Sequence, residues 1–157
     1  MHSHLRRLAR PAIGFGLAIL VVLGLAGGAR AADTKPEHHM VIQVDDNDPA
    51  KMNLALNNLA NLYEYYQQKG ETVQVELVAY GPGLNIFRTD TSPVKARLET
   101  LKMTYDNVAF SACGNTKRGM EKAEKKEIAL VPEAHVVPAG VVRILELQEQ
   151  GWSYVKP

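Results

Sequence analysis

An α/β fold is what this sequence predicts: a small doubly wound parallel sheet of about five strands with helices on both faces. Three observations predict it. Short, nearly unbroken apolar runs recur, among them "HMVIQV", "TVQVELVA" and "VAFSAC", and strands covered on both faces read this way. Segments with helical spacing separate these runs. No internal repeat is visible.

The elements follow in order. "HMVIQVDD" is a β-branched run ending in acids and reads as a buried first strand. Asp48 and Pro49 then mark a helix start, proline being tolerated in the first turn. From there Met52, Leu56, Leu59, Leu62, Tyr63 and Tyr66 form one wide apolar face, and Gly70 is the stop. Most of that face is expected in the core, with Tyr63, Tyr65 and Tyr66 as candidates for a subunit interface. "TVQVELVAYG" is the second strand, closed by the turn Gly81-Pro82-Gly83. "LNIFRTDTS" reads as a loop or short helical turn, and Ser92-Pro93 starts a helix through "VKARLETLKM". "DNVAFSAC" is the third strand. "TKRGMEKAEKKE" is a well-solvated helix. "IALVPEAHVVP" holds one strand and an extended link, "AGVVRILELQEQG" is the last helix, and "WSYVKP" is a short extended piece suited to a final strand.

Such a fold restricts where chemistry can sit. Ligands of open parallel sheets bind beyond the carboxyl ends of the strands, where helix N-termini converge. Three turns would share that edge: Asp45 to Asp48, Gly81 to Gly83, and "CGNT" at residues 113 to 116. Cys113 is the chain's single cysteine, so an internal disulfide is excluded and its thiol is free, joined to another chain, or modified. At the end of a strand and just before a helix, it meets backbone N–H groups that favour a thiolate. Asn115 or Thr116 is expected to cap that helix, and Gly114 to let backbone approach a ligand closely. The alternative for Cys113 is a small buried packing residue.

Other candidates are weaker. His135, near Glu133, has the form of a base with an orienting carboxylate, and would approach Cys113 if their strands were neighbours. His38 and His39 are adjacent on a strand and point to opposite sides, so no metal site is expected there. Asp45, Asp46 and Asp48 lack the spacing of a calcium loop, and capping accounts for Asp48. Neither a dinucleotide fingerprint nor a phosphate loop occurs, so no cofactor is expected.

Ahead of the domain lies a different kind of segment. "MHSHLRRLAR" is basic, "AIGFGLAILVVLGLAG" is apolar, and Ala29 and Ala31 supply small residues. That order predicts a secretory leader over residues 1–31, cleaved after Ala31, followed by a single domain over 32–157 and a periplasmic destination, the alternative being a membrane anchor that is never removed. Leu5 stands where a twin-arginine signal carries Ser or Thr, so the general secretory route is expected. Removing four arginines and no acid would move the formal charge from +1 to −3. Mild acidity argues against nucleic acid as a partner, and also against stable membrane association once the leader is gone.

The first strand "HMVIQVDD", the second ending "VAYGPGLN", the third ending "FSACGNT" and the closing "AGVVRILELQEQGWSYVKP" together resemble the DsrE/DsrF-like family, from about His39 to Pro157. The closing segment looks most like an exported branch of it. This resemblance implies a homotrimer or homohexamer and a role in sulfur relay as a carrier or sulfurtransferase, with a cysteine persulfide at Cys113. Gly81 and Gly83 resemble the family's turn beside that site, with Gly114, Asn115 and Thr116 as the ligand-binding backbone and His135 as a proton shuttle. Implied partners are a sulfur donor or acceptor protein, or a small sulfur compound. The second reading is a non-catalytic oligomeric binding or assembly module with a buried cysteine. The third is a metal- or redox-responsive sensor through His38, His39 and Cys113.

Overall fold

A computed structural model of the protein describes residues 37–157. The expected leader and its cleavage point at Ala31 lie outside them. Strand β1 (Glu37–Val44) leads into helix α1 (Pro49–Lys69). The Asp48 carboxylate accepts the Ala50 N–H at 2.8 Å, Pro49 occupies the first turn, and Gly70 ends the helix in the left-handed region at φ 67°. Met52, Ala55, Leu56, Leu59 and Tyr63 are its buried face, as the spacing predicts.

Strand β2 (Thr72–Ala79) is followed by a 3-10 helix over Gly81–Phe87, so the glycine-proline turn is the start of a helical segment. Helix α2 (Lys95–Thr104) begins later than Ser92-Pro93 predicts. The Ser92 hydroxyl instead donates to the Ile86 carbonyl at 2.5 Å and folds the linker back on the 3-10 helix. Strand β3 (Val108–Cys113) runs without a linker into helix α3 (Gly114–Glu124). Strand β4 (Ala134–Val137), helix α4 (Gly140–Glu149) and strand β5 (Ser153–Val155) complete the described residues.

All five strands are parallel, in the order β4-β3-β2-β1-β5. The chain steps outward from β1 to β4, then returns by way of α4 to place β5 beside β1. Right-handed crossovers send the outward helices to one face and the returning helix to the other. The first face holds the main core, where Ile42, Leu77, Phe110, Leu56, Leu59, Phe87 and Leu98 are fully buried. The second has a small apolar cluster of Val41, Val78, Ile144 and Leu147, with Tyr80 and Trp152 packed on it.

Gln43, Glu76 and Ser111, one polar residue in each of the three apolar runs, are all buried. The strand register, with Val41 opposite Glu76 and Val78 opposite both Gln43 and Ser111, puts the three on the α4 face. This half of the molecule is therefore held by polar pairs as well as by apolar area.

Candidate functional site

Cys113 is the last residue of β3 and also the N-cap of α3. The expected caps Asn115 and Thr116 lie inside the helix. With no connecting loop, the strand's final residue fills the cap position and its sulfur takes the place of a capping oxygen. Sγ accepts the Thr116 N–H at 3.5 Å. The Thr116 hydroxyl accepts the Gly81 N–H at 2.9 Å, which leaves its own proton for the sulfur.

A second helix start meets the same residue. Gly140 opens α4 packed directly against Cys113, and its backbone N–H favours the thiolate. Burial pushes the Cys113 thiol up. The Thr116 hydroxyl and the N–H groups of Gly140, Thr116 and Asn115 outweigh it, and the net direction is below the ordinary thiol value. Cys113 is 5% exposed, so this favoured thiolate lies just beneath the surface. A Cβ on Gly140 would stand 3.1 Å from Tyr80 and 3.2 Å from the Cys113 Cβ, so a side chain there would push the start of α4 away from Cys113.

The three turns at the carboxyl edge are neighbours. Gly81, at φ 52°, spends its N–H on Thr116. Gly83 packs so tightly that a Cβ would lie 2.3 Å from the Val44 carbonyl oxygen; it shapes the turn and presents nothing to a ligand. Gly114 is buried against the end of β4, and the exposed Asn115 has its side chain bonded to Arg118. The acids of the first turn are occupied. Asp45 pairs with Lys156 at 2.6 Å, Asp46 pairs with Lys51, and Asp48 caps α1.

His135 sits on the strand next to Cys113 but opposite Ser111, while Cys113 lies opposite Val137. The register sets the imidazole two residues back from the sulfur, and its Nε2 is 3.0 Å from Ser111 Oγ. Ser111 donates to Glu76 at 2.5 Å and therefore accepts from the histidine. The orienting carboxylate is thus Glu76, reached through Ser111, in place of Glu133. Glu76 is 3% exposed and takes two bonds from Arg143 of α4, both 2.7 Å. Burial pushes its carboxyl up, but Arg143 and Ser111 outweigh that, and its pKa is lowered. His135 and Arg143 also line a cleft of about 430 Å³ with Val137, Pro138, Ala139, Val142 and Glu146.

His38 and His39 lie toward the amino end of β1, whereas Cys113 ends β3 at the carboxyl edge of the sheet. His38 bonds Glu71 at 3.0 Å and stacks on Tyr66, and His39 packs against Trp152. The sensor reading needs these three residues together, and the fold separates them. Among the described residues, no group of three or more His, Cys, Asp or Glu is arranged to hold a metal ion.

Sequence reading missed Gly140, Glu76, Ser111 and Arg143. A signal for two of them exists: Glu76 and Ser111 interrupt otherwise apolar runs in strands buried on both faces. Nothing local marks Gly140 or Arg143.

A family model described as the DsrE/DsrF-like family matches residues 39–157. Among solved structures, a protein of unknown function from Methanobacterium thermoautotrophicum is similar, with 31% identity over 76% of this chain and 99% of that one, at a TM-score of 0.64. No curated protein matches the chain.

Proposed function

The chain belongs to the DsrE/DsrF-like family, and from that premise we propose that it is an exported sulfur carrier or sulfurtransferase whose working group is the Cys113 thiolate. The observation that carries the reading is that Cys113 Sγ caps the start of α3 while the start of α4 packs against the same residue. Amides so placed stabilise a thiolate, and they stabilise equally the negative charge of a persulfide formed on it.

The chemistry is an exchange at sulfur. Sγ attacks the outer sulfur of a donor persulfide, a new S–S bond forms to Cys113, the donor's S–S bond breaks, and the donor departs as its thiolate. With thiosulfate as donor the leaving group is sulfite. Delivery to an acceptor thiol is the same exchange run outward, and no net oxidant is needed. The exchange is written without His135, whose Nε2 is bonded to Ser111. Export to the periplasm is supported by the basic, apolar, small-residue order of residues 1–31. Self-association, as the homotrimer or homohexamer that the family resemblance implies, would use the outer row of α4, where Val141, Val142 and Leu145 are exposed.

Intact-mass measurement after incubation with polysulfide or thiosulfate tests the proposal. The expected result is a gain of one sulfur atom that Cys113→Ser abolishes. No gain, or an equal gain in the variant, overturns it. The shallow burial of Cys113 favours a second reading, a non-catalytic module. Under that reading the native thiol resists maleimide and reacts only after denaturation.

A further inference from the structure

The first turn of α4 sets the Gly140 backbone against Tyr80 and Cys113, and beyond that packing a single side chain of the turn bonds the sheet. Gly140 has no side chain, and Val141 and Val142 are exposed. The apolar contacts of α4 begin later, at Ile144 and Leu147. Arg143 is therefore the side chain of the first turn that bonds the sheet, through Nε and Nη2 to the two oxygens of Glu76. Its backbone N–H also closes that turn, donating to the Ala139 carbonyl at 3.0 Å.

We propose that Glu76 and Arg143 are positioning residues for Cys113: their buried, two-bond pair ties the first turn of α4 to β2 and so keeps the Gly140 end of that helix against Cys113. The inference takes from the proposed function that Cys113 works as a thiolate. It deepens that reading by assigning the thiolate's stability to a pair that does not touch the sulfur. Ser111 and His135 complete the polar cluster on the sheet side. Tyr80 is the titratable side chain against Gly140 itself.

Position and simple charge make opposite predictions. Glu76→Gln removes a negative charge near the site, which by Coulomb's law alone would make the thiolate easier to form. If the pair acts by position, the neutral amide spoils the fork, the Gly140 amide drifts, and the thiolate becomes harder to form. Arg143→Lys keeps the charge and loses the fork, so charge alone predicts no change.

The experiment is a pH titration of thiolate absorbance at 240 nm on the whole protein, with Cys113→Ser as blank. In Glu76→Gln the inflection should move up by about half to one pH unit, a roughly threefold to tenfold loss of thiolate at neutral pH. Arg143→Lys should show a smaller upward shift. Ile144→Val, a packing change beside Arg143 that leaves the fork intact, should keep the wild-type inflection. A wild-type or lower inflection in Glu76→Gln overturns the proposal, as does an equal rise in Ile144→Val. Should the variants fail to fold, the wild-type Gly140 amide resonance decides. It must shift with the Cys113 inflection, and an amide that stays still refutes the proposal. Sulfur loading is not the readout, so failure of the persulfide reading leaves a distinct signature.

Discussion

Cys113 differs from an ordinary buried thiol in what it accepts. Hydrogen bonding to the charged form and burial act in opposite directions here, and the donors win. Thr116 contributes twice, through its N–H and its hydroxyl, and the hydroxyl in turn depends on Gly81. Thr116→Val keeps the shape and deletes the hydroxyl. It should raise the thiol inflection and leave the Gly81 N–H unpaired, at a cost of about 1–3 kcal/mol. Thiolate absorbance against pH and chemical denaturation check the two effects separately. Unchanged values in both would remove Thr116 from the site.

At the scale of elements, the 3-10 segment and α3 are joined by a buried guanidinium. Arg88 bonds Asp90 at 2.8 and 2.9 Å and Glu124 at 2.5 and 2.9 Å, and Lys126 adds a bond to Asp90. Arg88 pulls Glu124 down to about 2, against a smaller opposing effect of burial, and holds Asp90 well below the usual carboxylate range. Carboxylates depressed in the fold contribute stability above their unfolded values, and that stability is lost as pH falls through the folded ones. The melting temperature should therefore hold steady down to roughly pH 5 and fall between about pH 4.5 and 2. Glu124→Gln should flatten part of that fall in thermal melts at stepped pH. A slope equal to wild type would show that the clamp is not what acid breaks.

The same scale shows what the sequence made legible near the site. The helix start at Asp48-Pro49, the stop at Gly70 and the strand ending at Cys113 rest on local rules of capping and periodicity, and each is observed. The cap of α3 is not legible in the sequence because a cysteine is an uncommon cap, and only the missing loop after β3 reveals it. The partner of His135 is illegible for a different reason. Adjacent strands do bring the histidine near, but the pleat and register decide which residue it faces, and that residue is Ser111.

For the whole molecule, topology decides which surfaces are left over. The outward crossovers cover one face with three helices, while the single return crossover covers the other with α4 alone. The outer row of that helix remains apolar, with Val141 62% and Leu145 56% exposed. If copies associate through it, as proposed, Leu145→Asp should shift the mass measured by light scattering toward the monomer while far-UV circular dichroism is retained. An unchanged mass places the interface elsewhere.

By itself the sequence determined the order of strands and helices, the parallel fold class and Cys113 as the residue to watch, because these depend on spacing along the chain. The tertiary structure alone decided the site's company. Gly140 reaches Cys113 from another helix, and Arg143 reaches Glu76 across 67 residues. Those meetings depend on strand order and on which face the return crossover takes, and neither leaves a local trace in the residues it brings together.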